Sequence, residues 1–204
     1  MFSGIVSAVG IIQHILTKKD CIDFVILVPE TFTDLTIGES IAVNGVCLTV
    51  THFSESCMYV TAVPQTLRVT TLCELTENSV VNLERSITIN TRLGGHYVQG
   101  HVDVVGEILD IKSDGDAAIL VKIGMPENLS KYVVRKGYIT LDGMSITVID
   151  TATNYFTVTF IPHTQQVTIV NQYRIGSKIN LEVDILGKYI EKLITPFLQD
   201  KMKN

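Results

Sequence analysis

The sequence predicts an all-β protein made of two similar β-domains in tandem, followed by a C-terminal amphipathic helix. Most of the chain consists of short runs rich in Val, Ile and Thr, which Gly, Asn, Asp or Ser interrupt at intervals of about ten residues. The region 41–84 repeats at 139–182 without a gap, with 14 identities in 44 positions. The only stretch without a counterpart in the repeat is the C-terminal one, where apolar residues recur at helical spacing.

The first β-domain is predicted over residues 1–96. It opens with FSGIVSAVG at residues 2–10 and contains IAVNGVCLTV at residues 41–50. Both residues of the Asn44-Gly45 dipeptide tolerate a positive φ, which favours a two-residue hairpin turn. We therefore predict a hairpin that joins 40–43 to 46–51.

The second β-domain is predicted over residues 97–187. VQGHVDVVG at residues 98–106 corresponds to the opening of the first domain at an offset of 96, and ITLDGMSITV at residues 139–148 corresponds to its hairpin at an offset of 98. Asp142-Gly143 replaces Asn44-Gly45, so the same type of turn is predicted between 140–141 and 144–149.

The stretch 188–204 has no counterpart in the first half and is predicted to be an amphipathic helix, with Pro196 as a kink. Its apolar residues are Tyr189, Ile190, Leu193, Ile194, Phe197 and Leu198. This stripe fits packing on the helix's own β-domain and contact with another subunit equally well.

Composition limits the classes of function. Hydrophobic residues make up 46% of the 204 residues and charged residues 18%, as in a folded protein with a sizeable core. The 16 Lys and Arg against 21 Asp and Glu give a net charge of −5, and no basic block stands out, so nucleic acid is not an expected partner. The N-terminus lacks a basic n-region and has polar residues inside its apolar run, so neither a signal peptide nor a membrane span is expected.

The four cysteines, Cys21, Cys47, Cys57 and Cys73, show no C-x-x-C spacing. This argues against a disulfide framework and a zinc finger, and it fits a reducing, cytoplasmic location. His96 and His101 are five apart in a segment that resembles a strand, which would place them on opposite faces. No metal site is predicted.

Polar residues that match between the two halves are candidates for holding a shared ligand. These pairs are Thr49 with Thr147, Thr66 with Thr164, and Gly4 with Gly100. Hydroxyls at equivalent strand positions can bind a flat heterocycle or a polyol, and a glycine lets backbone amides approach it. Threonine is also simply a good strand former, so the Thr pairs alone do not separate the two explanations.

Positions that differ between the halves are candidates for chemistry. They are Cys47 against Ser145, Ile5 against His101, Ser40 against Tyr138, and Gln65 against His163. A Cys and a His beside matched motif positions suggest a nucleophile and a base in one site. A buried small Cys and a structural His are the alternative.

Several motifs together give the chain a close resemblance to the riboflavin synthase family, essentially from end to end. They are MFSGIV, GESIAVNGVCLTV (38–50), VNLERS (81–86), RLGGHYVQGHVD (92–103), KGYITLDGMSITV (136–148), IPHT (161–164) and NLEVDILGKYIEK (180–192). The resemblance implies two tandem six-stranded Greek-key barrels, each binding lumazine, and a C-terminal helix through which three chains trimerise.

The reaction implied by the resemblance is a dismutation of two molecules of 6,7-dimethyl-8-ribityllumazine. A four-carbon unit passes from one molecule to the other and gives riboflavin and 5-amino-6-(ribitylamino)uracil. No metal or organic cofactor is implied, and the productive pair of substrates is expected to form between barrels of neighbouring subunits. Holding two reactants face to face can lower a barrier by up to about 7 to 11 kcal/mol, which gives the duplication a physical reason.

The resemblance also implies the site residues. Five are associated with turnover: Ser40, Cys47, His101, Thr147 and Asp184. The N-terminal pocket is expected to involve Gly4, Ile5, Val6, Cys47, Leu48, Thr49, Thr61, Ala62, Val63, Pro64, Gln65 and Thr66. The C-terminal pocket is expected to involve Gly100, His101, Val102, Lys136, Ser145, Ile146, Thr147, Phe160, Ile161, Pro162, His163, Thr164 and Gln165.

One position departs from the family pattern. Gln65 stands where most members carry an acid, and we expect it to tune ligand contacts rather than to abolish activity. The alternative function is that of a non-catalytic lumazine- or flavin-binding protein of the same fold. Retention of Ser40, Cys47, His101, Ser145, Thr147 and Asp184 together favours the enzyme.

Overall fold

A computed structural model describes residues 1–32 and 34–201, with the side chains of 199–201 excepted. The chain folds into two closed six-stranded antiparallel barrels followed by a helix, as predicted. The first barrel comprises β1 (Ala8–Thr17), β2 (Ile22–Leu27), β3 (Ser40–Val43), β4 (Val46–Phe53), β5 (Cys57–Ala62) and β6 (Val80–Arg85). The second comprises β7 (Val104–Asp114), β8 (Ala118–Gly124), β9 (Tyr138–Leu141), β10 (Met144–Thr151), β11 (Tyr155–Phe160) and β12 (Lys178–Val183).

Within the described residues, three α-helices accompany the barrels. The six-residue helices α1 (Pro64–Val69) and α2 (Pro162–Val167) follow the last hairpin strand of each barrel, and α3 (Ile185–Lys201) follows β12. Both short helices begin with proline, whose fixed φ suits the first helical position. Each is followed by a short 3₁₀ turn, Thr71–Glu74 and Ile169–Gln172, capped by the hydroxyl of the preceding threonine.

Both barrels have the same Greek-key topology. In the first, the strands β3, β4 and β5 follow one another through hairpins, and β6 returns to lie beside β3, which gives the order β1-β2-β5-β4-β3-β6. The second barrel repeats this order with β7-β8-β11-β10-β9-β12. The duplication seen in the sequence is therefore a duplication of the whole fold.

The predicted hairpin turns are present at both positions. Asn44 and Gly45 have φ of 45° and 75°, and Asp142 and Gly143 have φ of 42° and 85°, as a type I′ turn requires. The strands are slightly longer than predicted, since β4 reaches Phe53 and β10 reaches Thr151. Each barrel encloses its own core of buried Val, Ile, Leu and Phe side chains.

The two hairpin turns meet at the junction between the barrels. A Cβ on Gly45 would lie 2.5 Å from the backbone nitrogen of Gly143, so the close approach requires glycine. Two buried asparagines fasten this junction with matching bonds. Asn82 Nδ2 donates to the carbonyl of Asp142 at 2.9 Å, and Asn180 Nδ2 donates to the carbonyl of Asn44 at 2.8 Å.

The segments that precede β1 and β7 also meet between the barrels. Phe2 and Val98 pair as an antiparallel bridge, with N–H to O distances of 2.8 and 3.1 Å. Both side chains are buried and pack together with Ala42. We call residues 2–6 and 98–102 the crossing segments, because each bonds to its own barrel and also to the other barrel.

The C-terminal helix begins at Ile185, and residues 202–204, to which its prediction extended, lie outside the described residues. Its polar side holds it to the second barrel: Glu191 bonds to Lys131 and Tyr132, and Lys188 Nζ lies 2.7 Å from Asp103 Oδ1. Its apolar side chains are 47–72% exposed, namely Leu186, Tyr189, Ile190, Leu193, Ile194, Phe197 and Leu198. The apolar stripe therefore does not pack on its own barrel. No helix in the described part of the chain is long and apolar enough to span a membrane.

Candidate functional site

Each barrel has a candidate pocket at the point where the other barrel's crossing segment covers it. Gly4 lies over β10 of the second barrel, and its carbonyl accepts the N–H of Ser145 at 2.7 Å. Gly100 lies over β4 of the first barrel, and its carbonyl accepts the N–H of Cys47 at 2.8 Å. The two contacts are equivalent, because Cys47 and Ser145 occupy the same position of the repeat.

Glycine is required at both contacts. Gly4 and Gly100 have φ of 76° and 78°, in the left-handed region that other residues rarely adopt. A Cβ on Gly4 would lie 2.5 Å from Cβ of Ser145, and one on Gly100 would lie 2.6 Å from Cβ of Cys47. The matched glycines noted in the sequence thus allow the crossing segments to close on the strands.

Buried carboxylates hold the crossing segments in place. Glu84 accepts the N–H groups of Ser3 and Gly4 at 2.7 and 3.1 Å, and Glu182 accepts those of Gln99, Gly100 and His101 at 2.8 to 3.1 Å. Burial raises the pKa of both carboxyls, and the hydrogen bonds from the backbone oppose that rise. The matched VNLE and INLE motifs therefore end in a residue that positions the pocket's backbone.

The pocket of the second barrel contains a cavity of about 160 Å³. It is lined by Gly4, Ile5, Val6, Met144, Ser145, Ile146, His163, Thr164, Val167 and Thr168. The sequence did not indicate Met144, Val167 and Thr168 as lining residues. Pockets that enclose a small molecule usually measure about 300–1,000 Å³, so this cavity is small for a complete ligand site.

The pocket of the first barrel is built in the same way. Cys47 to Thr49 lie on β4, Thr61 and Ala62 end β5, and Val63 and Pro64 begin α1. Val102 of the crossing segment packs on this barrel's core. His101 follows Gly100 directly and is exposed, so it lies at the Cys47 side of the molecule.

This arrangement corrects the predicted grouping of the pockets. The prediction put Gly4, Ile5 and Val6 with Cys47, and Gly100, His101 and Val102 with Ser145. The structure exchanges the two crossing segments, because each passes from its own barrel across to the other. The repeat pattern shows which residues correspond, but it cannot show which copy a segment contacts.

The remaining turnover candidates lie close to these contacts. Ser40 pairs with Thr49 across β3 and β4, and Tyr138 pairs with Thr147 across β9 and β10. Thr49 and Thr147 are both exposed and lie two residues after Cys47 and Ser145 on the same strands. Asp184 precedes α3 and accepts the N–H of Leu186 at 3.0 Å.

Other predicted binding residues have mainly structural contacts in the isolated chain. Leu48, Ala62 and Phe160 are buried in the barrel cores. Thr61 Oγ1 donates to Asp23 at 2.7 Å, and Gln165 Nε2 donates to the carbonyl of Phe160 at 3.0 Å.

The rest of the predicted set lies at or in α1 and α2 and in the turn before β9. Gln65 accepts a hydrogen bond from Arg68 at 2.7 Å, and the carbonyls of Thr66 and Thr164 accept the hydroxyls of Thr70 and Thr168. Ile161 and Pro162 begin α2, and Lys136 is exposed with φ of 65° in the turn before β9.

His96 is a site residue that the sequence did not assign to a pocket. Its side chain is buried, and Nδ1 lies 2.7 Å from Ser145 Oγ while Nε2 lies 3.2 Å from Thr140 Oγ1. Burial lowers the pKa of this imidazole, and the charge of Asp184 opposes that change. The only signal in the sequence was its place inside the HYVQGHVD motif.

The expectation that His96 and His101 lie on opposite faces of a strand is wrong. Apart from the single bridge at Val98, residues 86–103 form no strand among the described residues. His96 is buried against the second barrel and His101 is exposed. Among the side chains that the structure describes, no group of three or more His, Cys, Asp or Glu is arranged to hold a metal ion.

A larger cleft of about 810 Å³ adjoins the outer side of the first crossing segment. Ile5 lines both this cleft and the small cavity of the second barrel. The cleft's central charge is already paired, because Arg85 donates to Glu39 at 2.7 Å and also contacts Asp34.

Comparisons with known proteins agree with this architecture. The family model for the lumazine binding domain matches twice, over residues 3–86 and 99–184. A solved structure of LumP complexed with riboflavin superposes with a TM-score of 0.83 at 26% identity, covering 90% of this chain and 99% of that one. A complex of LumP with 6,7-dimethyl-8-(1′-D-ribityl)lumazine gives a TM-score of 0.81 at the same identity and coverage. The fold and its paired pockets therefore define a protein with two lumazine binding domains.

Similarity over the full length narrows this class. Riboflavin synthase of Actinobacillus pleuropneumoniae is 42% identical over 204 residues, which are 100% of this chain and 94% of that protein. Riboflavin synthase of Schizosaccharomyces pombe is 40% identical over 204 residues, 100% of this chain and 98% of that protein. That of Bacillus subtilis is 40% identical over 194 residues, 95% of this chain and 90% of that protein. The chain belongs to the riboflavin synthase family.

Proposed function

We propose that this chain is a cofactor-independent transferase that converts two molecules of 6,7-dimethyl-8-ribityllumazine to riboflavin and 5-amino-6-(ribitylamino)uracil. The observation that carries the proposal is a pair of equivalent contacts in one chain, at each of which a glycine of one half closes on a strand of the other half. A reaction between two copies of one substrate needs two sites that bind the same molecule, and two homologous barrels supply them. The products together contain all the atoms of the two substrates, so no oxidant or reductant is consumed.

Chemistry at the lumazine ring requires two groups. A proton leaves the C7 methyl group of one molecule, and a nucleophile adds at C7 of the other. Cys47 and His101 lie on the same side of the molecule, at the first barrel's pocket, which supports assigning them to these steps as nucleophile, base or orienting group. Ser40, Thr147 and Asp184 are proposed to assist turnover from the positions described above.

The working assembly is proposed to be a homotrimer joined through α3. The exposed apolar face of this helix supports the assembly, because a contiguous exposed apolar stripe marks a site of contact with another chain. The small volume of the second barrel's cavity supports a site shared between subunits. In the trimer, the first barrel of one chain would face the second barrel of its neighbour and bring two lumazines together.

The deciding experiment supplies the lumazine alone, with no cofactor, and follows the absorbance of riboflavin. Riboflavin should appear with one equivalent of the pyrimidine product. Binding of lumazine by the intact oligomer without turnover would instead make the chain a lumazine-binding protein.

A pair of variants tests the assembly. Phe197→Glu, on the apolar face of α3, should give monomers in sedimentation, and those monomers should bind lumazine yet fail to turn it over. Lys192→Glu, on the same helix but at an exposed polar position, is the matched control and should remain trimeric. A fully active monomer would contradict the shared site.

A further inference from the structure

The second barrel's pocket is supported by a histidine that does not line the cavity. His96 is 6% exposed and belongs to the irregular segment that links the barrels. Its backbone N–H donates to the carbonyl of Ser3 at 3.2 Å, and its ring stacks on Tyr138 at 5.4 Å with an interplanar angle of 8°. The imidazole is therefore fixed in position and in rotation.

Both ring nitrogens face hydroxyl groups. Nδ1 lies 2.7 Å from Ser145 Oγ, and Nε2 lies 3.2 Å from Thr140 Oγ1. Thr140 on β9 and Ser145 on β10 are direct cross-strand partners, so the ring contacts both residues of one pair. Of these two hydroxyl residues, only Ser145 also lines the cavity.

The charge state of the ring decides what it does to Ser145. Burial lowers the pKa of His96 below its ordinary value of 6.5, so the imidazole is neutral at neutral pH. A neutral imidazole has one N–H and one acceptor nitrogen. Since each nitrogen has one hydroxyl partner, fixing the tautomer also fixes whether the Ser145 hydroxyl donates or accepts toward the cavity.

We propose that His96 is a positioning residue that orients the Ser145 hydroxyl toward the substrate bound in the second barrel. This inference rests on the proposed function and adds to it a residue that acts through another. Among the described residues, the first barrel shows no such arrangement. Cys47 occupies the position of Ser145, and no side-chain hydrogen bond of Cys47 is found within the described part of the chain.

The test uses two substitutions that separate the two ring nitrogens. The amide nitrogen of Asn reaches approximately the place of Nδ1, and that of Gln approximately the place of Nε2. His96→Asn can therefore keep the contact to Ser145, whereas His96→Gln can keep only the contact to Thr140. We expect His96→Gln to lower kcat/KM for the lumazine at least tenfold, and His96→Asn to stay within threefold of the unmodified protein.

A double-mutant cycle shows whether the effect passes through the serine. Ser145→Ala should match His96→Gln, and the double variant should be no slower than either single variant. An equal further loss when both changes are combined would overturn the inference, as would equal losses in the Asn and Gln variants. If the unmodified protein fails to form riboflavin, the proposed function fails instead. The inference about His96 is then tested by comparing the affinities of the same variants for the lumazine.

A measurement on the unmodified protein and the serine variant keeps the test valid if the His96 variants do not fold. In ¹⁵N-histidine NMR spectra, Ser145→Ala should shift the Nδ1 resonance of His96 and leave its Nε2 resonance close to its original value. An unchanged Nδ1 resonance would overturn the inference.

Discussion

The two candidate pockets share the same backbone contacts but differ in the side chains at the point where the glycine closes on the strand. In both, a glycine of the opposite half closes on a strand, and a buried glutamate holds the backbone of that segment. In the first barrel the covered residue is Cys47, with His101 beside the closing glycine. In the second it is Ser145, with Ile5 beside the glycine and His96 behind the hydroxyl.

This difference separates the residues that build a pocket from those that act in it. The backbone contacts of the crossing segments are the same in both halves, and the residues that make them match between the two repeats. They are Gly4 with Gly100 and Glu84 with Glu182. Cys47 and Ser145 are proposed to act on the ligand, and their tasks need not be the same when one substrate gives carbon atoms and the other receives them. The backbone contacts of the two pockets are therefore equivalent, whereas the side chains proposed to act on the ligand differ.

The largest expected effect comes from breaking the shared backbone contacts. Gly100→Ala should lower turnover about 100-fold, because the new Cβ would lie 2.6 Å from Cys47 Cβ and displace the crossing segment by a fraction of an ångström or more. Gly4→Ala should have a similar effect at the other pocket. Gly38→Ala is the control, since Gly38 has φ of 90° but nothing within 4 Å. Equal losses in the control would show that only backbone strain matters.

The junction between the barrels offers a second contrast, now in stability. Burial raises the pKa of Asp142 from 3.8 to about 7, whereas the equivalent Asn44 has no charge. Between these pH values the folded state keeps a proton that the unfolded chain has lost. The contribution of protonated Asp142 to the free energy of unfolding is therefore complete below about pH 4. It falls as the pH rises above 4 and is lost once the pH has risen through 7.

Asp142→Asn should remove this pH dependence. The variant should be more stable than the unmodified protein at pH 8, by at most about 4 kcal/mol, and about equal to it near pH 4. Its amide oxygen can accept the N–H of Asn180, as Asn44 accepts that of Asn82 at 2.7 Å. Thermal midpoints at the two pH values provide the measurement, and Asn44→Asp should show the opposite behaviour. A midpoint difference that is the same at both pH values would place the titrating group elsewhere.

A smaller effect is expected when a side chain of the first pocket is changed and the backbone contacts around it are kept. Cys47→Ala should slow kcat about tenfold and change the dissociation constant of the lumazine less than threefold, because the thiol is small and the backbone N–H still bonds to Gly100. Single-turnover kinetics and a fluorescence titration separate the two quantities. Equal losses in both would show that Cys47 only holds the ligand.

The smallest effect concerns Gln65, which faces solvent on α1 and accepts a bond from Arg68. Gln65→Glu introduces the acid that the family resemblance leads us to expect at this position, and the glutamate would form an exposed pair with Arg68, which contributes little in water. We expect kcat/KM to change less than about twofold. A tenfold gain would instead assign residue 65 a direct contact with the ligand.

The sequence predicted the fold well because fold depends on patterns that a chain carries locally. The turn signals at Asn44-Gly45 and Asp142-Gly143 and the constant offset were sufficient for two equivalent β-domains, and both turns are present. The exposed apolar face of α3 was visible as a stripe, although only the structure shows that its own barrel leaves it uncovered.

The site was predicted as a set of residues but not as two assembled pockets. Gly4 and Gly100 were recognised from their conformational freedom, yet their partners lie in the other half, and sequence correspondence contains no information about such an exchange. His96 was missed for a related reason. Its role depends on Thr140 and Ser145, which lie 44 and 49 residues away and approach it only through the folded hairpin.

The exchange of the crossing segments has a consequence for how such a protein could arise. In a chain with a single repeat, the crossing segment would not cover the pocket of its own barrel. Two copies would have to associate so that the crossing segment of each covered the pocket of the other. Fusing the genes of two such copies would preserve every contact and would turn a reciprocal association into a permanent one. Only after that step could one copy mutate toward Cys47 and the other toward Ser145, since the two partners could no longer separate and re-pair at random.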